Sequence, residues 1–242
     1  LGDLTTFRVI TQDSLDMLLG KIQGAIDQGY TRVKLKFRPG WDLNMLDAVR
    51  STFPTFTFHI DCNGGYTLRD AELFKRVDRY RLAMIEQPLQ AGDLVDHAEL
   101  QKTIETPICL DESIRSFHDA QVALRIGSCG IVNIKMGRVG GLSVAKAIHD
   151  LCAAHGVPCW VGGMLESALG GNLCLALATL ENFTYPADIF PSRYFYRQDL
   201  CAPETVLSGP GEMTASPAPG VPSEPVPDLL AERTVQHASF RA

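Results

Sequence analysis

The amino-acid sequence predicts an α/β protein folded as a (β/α)₈ barrel of the TIM type. The chain has 242 residues, enough for one barrel around a single large core. Short β-branched apolar runs alternate with amphipathic helical stretches, the pattern of parallel βαβ units. No glycine-rich phosphate loop follows the first clear strand, so the usual mark of an open dinucleotide-binding sheet is missing.

The predicted strands follow one another at nearly regular intervals. Six are well marked, a weaker one lies near Asp188, and another is expected within residues 4–10. The six are 32–37, 57–62, 83–86, 108–111, 131–135 and 158–161. This number of strands fits an eight-fold barrel better than an open sheet of five or six.

Helices are predicted between these strands, from the spacing of apolar residues. They cover 14–28, 43–52, 68–80, 95–103, 117–126, 142–155 and 169–181. Ser14 and Ser116 stand where N-caps are expected. Gly29 and Gly156 stand where a helix C-terminus favours a left-handed residue.

Two regions of unequal character are predicted. Residues 1–200 form the barrel, whereas Pro, Ser and Gly dominate residues 201–242. We expect this Pro-rich C-terminal segment to run over the surface and to pack on another domain.

Composition narrows the class of partner and the compartment. The net charge of −6 argues against nucleic acid or an anionic membrane as partner, and no apolar run approaches the roughly 18 residues of a membrane span. The seven cysteines are scattered, mostly in apolar runs, and form no CxxC pair. We therefore expect reduced thiols in a cytoplasmic protein, with the Asn182-Phe183-Thr184 sequon arising by chance.

Ionisable residues close five successive predicted strands. They are Lys36, Asp61, Glu86, Asp111 and Lys135, at separations of 25, 25, 25 and 24 residues. Since a βα unit in a barrel averages about 30 residues, this spacing puts each at an equivalent place on its strand. One such residue alone would be read as a helix cap or a solvated charge. Five in one register predict a single cluster at the barrel mouth.

The residue types indicate the chemistry. Asp61, Glu86 and Asp111 suit a hard cation, Mg²⁺ above all with Mn²⁺ as a substitute, and the absence of His or Cys from the cluster argues against zinc. A substrate whose carboxylate binds such a cation can lose its α-proton to give an enediolate.

The lysines are the predicted acid/base groups. Lys34 and Lys36 lie two apart on one strand, so both face the barrel interior. Two ammonium groups close together near a cation favour the neutral amine that a general base needs. Lys135 would approach from the opposite side, as a second acid/base or as a stabilising cation.

The motifs around these residues resemble the enolase superfamily, within it the muconate-lactonising subgroup. They are Val33-Lys34-Leu35-Lys36, His59-Ile60-Asp61-Cys62-Asn63, Ile85-Glu86-Gln87-Pro88, Leu110-Asp111-Glu112-Ser113 and Asn133-Ile134-Lys135. The pairing of lysine with Mg²⁺ is a general property of that superfamily. The later segments 162–167 and 183–189 are similar to o-succinylbenzoate synthases and N-succinylamino acid racemases.

This resemblance implies a reaction and roles for the residues. The reaction would be the dehydration that forms o-succinylbenzoate in menaquinone synthesis, with racemisation of N-succinylamino acids as the alternative. Lys36 would be the base and then the acid, and Lys135 would stabilise the enediolate. Further residues are expected near the substrate or behind the site: Asn63, Gly162, Gly163 and Met164 as substrate neighbours, and Glu112 as a residue that hydrogen-bonds a lysine. We expect a small carboxylate substrate and a homo-oligomer.

The resemblance also implies an N-terminal capping domain, which we expect to be missing from this chain. Two other readings stay open. A class I aldolase would use Lys135 as a Schiff-base nucleophile, but it leaves the three carboxylates without a joint role. A non-catalytic barrel would bind Mg²⁺ without exchanging any α-proton.

Overall fold

The parallel sheet that carries the predicted strand-end residues has seven strands in sequential order. This structure is a computed structural model that describes residues 2–4, 12–236 and 238. The strands are β1 (Gly2–Leu4), β2 (Arg32–Lys36), β3 (Thr57–Asp61), β4 (Ile85–Glu86), β5 (Ile108–Leu110), β6 (Ile131–Ile134) and β7 (Cys159–Val161). Each pairs in parallel with the next, as βαβ units require. All six well-marked strands are confirmed. Residues 5–10 of the expected first strand lie outside the described residues.

Helices connect the strands along the chain. They are α1 (Gln12–Asp27), α2 (Leu43–Thr52), α3 (Ala71–Val77), α4 (Leu94–Gln101), α5 (Phe117–Ile126), α6 (Met136–Val139), α7 (Leu142–Ala154) and α8 (Ala168–Leu177). Ser116 is confirmed as an N-cap, since its hydroxyl accepts a hydrogen bond from the Asp119 amide at 3.2 Å. Ser14 is not one, because α1 begins two residues earlier. The helix expected over 68–80 has 3-10 turns at both ends of α3.

The strands divide the core into two sides. Val33, Leu35 and Phe37 are buried in the main apolar cluster, which includes residues of the surrounding helices. Trp160 belongs to a smaller interior cluster with Met84, Cys109 and Ile131. Because strand residues alternate, Lys34 and Lys36 point to the opposite side from Val33 and Leu35. The predicted inward orientation of the lysine pair is therefore confirmed.

An extended segment continues the sheet beyond β7. Phe183 forms a parallel bridge with Cys159, and the Asp188 amide donates to the Val161 carbonyl at 2.7 Å. Arg32 of β2 donates to the Pro186 carbonyl at 2.6 Å, so this segment also contacts the second strand of the sheet. Among the described residues the hydrogen-bonded sheet accounts for seven strands, and a closed eight-stranded barrel is not shown.

The described part of the C-terminal segment contacts the helices. Strands β8 (Cys201–Ala202) and β9 (Glu224–Pro225) pair antiparallel and are followed by α9 (Pro227–Arg233). Asn172 of α8 donates to the Ser223 hydroxyl at 2.8 Å. Part of the segment thus packs on the sheet's own helices, and its packing on a further domain stays a prediction.

Two expectations from composition can be compared with the structure. All seven cysteines are buried and free, as expected for structural thiols. In residues 2–4, 12–236 and 238, no helix has both the length and the apolar character needed to cross a bilayer.

Candidate active site

The five strand-end residues lie along one edge of the sheet. Lys36, Asp61 and Glu86 are the last residues of β2, β3 and β4, and they stand directly opposite one another in the sheet register. Asp111 and Lys135 immediately follow β5 and β6. Asp111 lies two residues beyond the register of Glu86, and Lys135 two residues beyond that of Asp111, because Glu86 pairs with Cys109 and Leu110 pairs with Val132. The regular spacing in the sequence therefore brings all five residues to one edge of the sheet, but only the first three stand in one register. The carboxyl ends of parallel strands are where such folds place catalytic groups.

Lys36 is tied to the site by two short contacts. Its ammonium group donates to Asp61 Oδ2 and to Asn63 Oδ1, each at 2.8 Å. The Asn63 amide donates in turn to Glu112 Oε1 at 3.0 Å. Glu112 was expected to hydrogen-bond a lysine directly; the structure instead gives it Asn63, one step removed from Lys36. Asn63 thus lies against the predicted base.

Lys34 lies deeper than Lys36 and joins three carboxylates. Its side chain is 5% exposed, against 24% for Lys36. The ammonium nitrogen is 3.5 Å from Asp61, 3.7 Å from Glu86 and 3.4 Å from Asp188. Although burial raises the pKa of Asp61, Lys34 and Lys36 outweigh it, and the net pKa is lowered. Lys36 is therefore the more accessible lysine of the pair, and Lys34 lies behind it among the carboxylates. The part of Lys34 in acid/base chemistry stays a prediction.

Glu86 is the most deeply buried of the three predicted metal ligands. Its Oε1 accepts a hydrogen bond from the Asn133 amide at 2.8 Å, while Oε2 has no hydrogen-bond partner in the described structure. Burial raises the pKa of Glu86 well above its usual range, Lys34 opposes this, and repulsion from Asp61 and Asp111 adds to it. The surroundings therefore disfavour the ionised form of Glu86.

Both the side chain and the backbone of Asp111 are held in place. Two cations contact the carboxylate, and a neighbouring side chain accepts a hydrogen bond from the backbone amide. Lys135 lies 3.0 Å from its Oδ2, and Arg138 makes a very short ion pair with its Oδ1. The Asp111 amide donates to Gln87 Oε1 at 3.0 Å, and the Ser113 amide donates to the same oxygen at 3.1 Å. The Gln87 side chain therefore holds the loop that carries Asp111.

At positions 162 and 163 only glycine leaves enough room for the neighbouring groups of the site. A Cβ atom on Gly162 would lie 2.2 Å from Asn133 Oδ1 and 2.8 Å from Lys135 Cε. A Cβ on Gly163 would lie 2.2 Å from the Asp188 carbonyl oxygen. Both glycines let neighbouring groups approach closely, which sequence reasoning did not foresee. Met164 is half exposed, with its sulfur 3.9 Å from Arg138. All three stay predicted substrate neighbours.

The donor set fits a divalent cation. Asp61, Glu86 and Asp111 are buried at neighbouring strand ends, they raise one another's energy when ionised, and Glu86 Oε2 is unsatisfied. As they stand, no three His, Cys, Asp or Glu side chains of the described chain surround one point closely enough to hold an ion. Each carboxylate instead has lysine or arginine as its counter-cation. Carboxylate oxygens are nevertheless the hard donors that Mg²⁺ prefers.

Sequence reasoning missed four residues that the structure brings to the site: Gln87, Asn133, Arg138 and Asp188. A signal for one of them was present. Gly162 follows Lys135 by 27 residues and Asp188 follows Gly162 by 26, so the spacing of the first five residues continues. The other three are set by contacts across strands, which periodicity does not reveal.

The fold and the cluster define the class of protein: a parallel α/β protein with lysines and carboxylates gathered at the C-terminal strand ends. The chain belongs to the enolase superfamily, because the family model described as Enolase C-terminal domain-like matches residues 18–229. The family resemblance drawn from the motifs is confirmed.

Individual relatives agree with this membership. The chain is 50% identical to an o-succinylbenzoate synthase of Geobacillus stearothermophilus, over 87% of this chain and 56% of that protein. It is 48% identical to an N-succinylamino acid racemase of Amycolatopsis sp, over 92% of this chain and 60% of that protein. A crystal structure of an unknown member of the enolase superfamily from Enterococcus faecalis V583 matches with TM-score 0.86 and 41% identity, over 92% of this chain and 60% of that one. The chain thus spans little more than half the length of the curated relatives it matches.

Proposed function

We propose that the protein is a Mg²⁺-dependent enzyme that removes a proton from the carbon beside a carboxylate. The most favoured reaction is the dehydration that forms o-succinylbenzoate. One observation carries the proposal: Lys36 and Lys135 lie on either side of three buried carboxylates at a single sheet edge. An aldolase would need only Lys135, and a passive barrel would need none of these groups.

The proposed barrel explains how two lysines can act on one substrate. We take residues 183–188 as its eighth strand, so that β2 and β6 face each other across the barrel. Lys36 and Lys135 would then reach opposite faces of a bound molecule. The half-exposed Met164 lies at the open edge beside Arg138, where the remainder of a substrate would extend.

Asp61, Glu86 and Asp111 would hold the cation. When bound, Mg²⁺ supplies electrostatic stabilisation for the negative charge that develops on the substrate carboxylate. Lys36, as the neutral amine, takes the α-proton and returns it to the departing hydroxide, so water leaves and the lysine is regenerated. Lys135 remains an ammonium group and stabilises the negative charge from the other face.

Racemisation of N-succinylamino acids is the second candidate. It needs two acid/base groups on opposite faces, one to remove the proton and one to return it, and the two lysines meet that requirement. The relatives of both kinds match this chain at nearly equal identity. The difference would lie in the shape of the pocket around the same lysines.

The experiment is a Mg²⁺-dependent assay of the protein on the menaquinone precursor and on N-succinyl amino acids, with α-proton exchange followed in D₂O. We expect Lys36→Ala to lower the rate about 10²–10⁴-fold, the usual contribution of a positioned base. Lys146→Ala is the matched control, since Lys146 forms an exposed pair with Asp150 at 2.6 Å. Equal rates for Lys36→Ala and the unmodified protein would contradict the proposal. Trapping of a Schiff base by borohydride would favour the aldolase reading.

A further inference from the structure

Arg32 is buried beneath the catalytic lysines. Its side chain is 2% exposed, and its guanidinium carbon lies 4.6 Å from the centre of the Trp160 ring. One terminal nitrogen donates to the Pro186 carbonyl at 2.6 Å. The other lies 3.3 Å from Nδ1 of His59. The arginine is therefore fixed on several sides with one N–H group directed at a histidine.

This contact determines where the proton of His59 resides. A guanidinium group carries only hydrogen-bond donors, so Nδ1 of His59 must be the acceptor and has no proton. The single proton of the neutral ring is then on Nε2. That nitrogen lies 3.3 Å from Glu86 Oε2. Neither of these two atoms has a hydrogen-bond partner in the described structure. The N–H group and the carboxylate oxygen are therefore close together, but the angle between them does not form a hydrogen bond.

The surroundings hold the His59 ring in this position. His59 stands opposite Lys34 in the register of β2 and β3, and its ring meets Trp160 edge-on at 5.7 Å between centroids. Asn133 occupies the other oxygen of Glu86 at 2.8 Å. Each carboxylate oxygen has more than one lone pair, so both can accept these contacts and still face a cation.

We propose that Arg32 and His59 are positioning residues for Glu86: Arg32 fixes the histidine tautomer, and the histidine N–H orients the carboxylate toward the cation. This inference rests on the proposed function, in which Glu86 is a metal ligand. Residues that hydrogen-bond a metal-ligating carboxylate fix its orientation, and their loss commonly weakens metal binding. A histidine that only filled the core would have no effect on cation binding.

The tautomer is measured first, in the metal-free protein labelled with ¹⁵N-histidine. Long-range ¹H–¹⁵N spectra distinguish a protonated from a bare ring nitrogen, and loss of one ring's signals in His59→Gln assigns His59. We expect a bare Nδ1 and a protonated Nε2. In Arg32→Met the Nδ1-protonated form should appear, because the donor that excludes it is gone. A protonated Nδ1 on His59 of the unmodified protein would overturn the inference.

Cation binding is measured next, by titrating the protein with Mn²⁺ alone and following free Mn²⁺ by electron paramagnetic resonance. We expect His59→Leu to weaken the affinity about 10–100-fold, the usual effect of removing such a partner. His59→Gln keeps an N–H donor and should retain most of the affinity. His118→Leu, an exposed histidine, is the matched control.

The two proposals fail in different ways. Unchanged Mn²⁺ affinity in His59→Leu would overturn the positioning role of His59. Equal loss in His59→Leu and His59→Gln would also overturn it, since a structural role alone predicts that result. An unmodified protein that binds no Mn²⁺ would contradict the proposed function, whereas the tautomer measured without metal would still decide whether Arg32 fixes the His59 ring.

Discussion

The side-chain oxygen of Asn63 accepts a hydrogen bond from the Lys36 ammonium group at 2.8 Å, and Asn63 adopts a left-handed φ of 45°. Asparagine is among the few residues other than glycine that occupy this region readily. The backbone turn after β3 and the contact with the proposed base thus depend on the same residue.

Replacement of Asn63 should separate these two effects. Asn63→Gly keeps the backbone conformation and removes the amide, so we expect slower α-proton exchange with little change in the free energy of unfolding. Asn63→Ala removes the amide and strains the backbone, so it should lose about 1–2 kcal/mol of stability as well. Exchange rates in D₂O and urea unfolding measure the two effects. Unchanged exchange in both variants would show that the contact has no part in the chemistry.

Gln87 joins the end of β4 to the loop after β5. Its Oε1 accepts from the Asp111 and Ser113 amides, and its Nε2 donates to the Ser113 hydroxyl at 2.7 Å and to the Leu89 carbonyl at 3.0 Å. Gln87→Leu would leave several buried polar groups unsatisfied, each worth about 1–3 kcal/mol. We therefore expect a loss of at least about 3 kcal/mol on unfolding in urea and weaker Mg²⁺ binding through Asp111.

The matched control for this change is Gln23→Leu on α1. Gln23 makes a single hydrogen bond to Asp27 at 2.8 Å in an exposed position. Surface substitutions of this kind usually change stability by less than about 0.5 kcal/mol. Similar losses in the two variants would contradict the role assigned to Gln87.

Substitution of Gly162 tests whether Lys135 must lie close to the backbone at this position. Gly162→Ala would place a methyl group 2.8 Å from Lys135 Cε and nearer still to Asn133, so both side chains must move. We expect a destabilisation of about 1–3 kcal/mol, as for other overpacked sites, together with a large loss of activity. Gly92→Ala is the control, since its Cβ would meet no atom within 4 Å. Normal activity of Gly162→Ala would show that Lys135 need not occupy its present position.

The sequence predicted the repeating strands and strand-end residues, but few of the contacts between individual side chains. The six clear strands and the five strand-end residues follow from a period of about 25 residues and from residue type, which are local properties. Gln87 and Arg138 were missed because their partners lie on other strands and depend on the sheet register. Ser14 was misassigned since a good capping residue does not exclude an earlier helix start. The short helix α9 lies in the Pro-rich C-terminal segment, where no helix was predicted.

His97 makes the stability of the protein depend on pH. It is fully buried, its Nε2 accepts a hydrogen bond from the Leu89 amide at 3.2 Å, and its Nδ1 faces the Asp93 carbonyl. Burial lowers the pKa of His97 below its usual 6.5, while Asp93 opposes the shift. The folded state therefore resists protonation that the unfolded chain accepts.

Because the folded state binds this proton less readily than the unfolded chain, the stability of the protein falls toward acidic pH. Above about pH 6.5 both states are neutral at His97 and its contribution to stability is complete. As the pH falls from there through the folded-state pKa, the unfolded state binds the extra proton, and stability declines by up to about 1.4 kcal/mol per pH unit. Urea unfolding between pH 7 and 5 measures the slope. His97→Gln should be less stable at pH 7 but should show a shallower slope, and an unchanged slope would exclude His97 as its source.

Asp188 shares the Lys34 ammonium group with the proposed metal ligands Asp61 and Glu86. It lies 3.4 Å from the Lys34 ammonium group, and its backbone is fixed by the hydrogen bond to Val161. In Asp188→Asn the side-chain shape remains but the charge is lost, so Lys34 would turn more fully toward Asp61 and Glu86. There it competes with a cation for the same oxygens, and we expect Mg²⁺ affinity to fall by about tenfold or more.

A matched surface pair distinguishes this effect from a general loss of charge. Asp150→Asn removes a carboxylate 2.6 Å from Lys146 at an exposed site and takes away one negative charge, as Asp188→Asn does. Calorimetric titration with Mg²⁺ should show normal affinity for Asp150→Asn and weakened affinity for Asp188→Asn, with both variants folded by circular dichroism. If Asp188→Asn bound Mg²⁺ as tightly as the unmodified protein, Lys34 would not be a competitor of the cation, and its place behind Lys36 would need another explanation than charge balance.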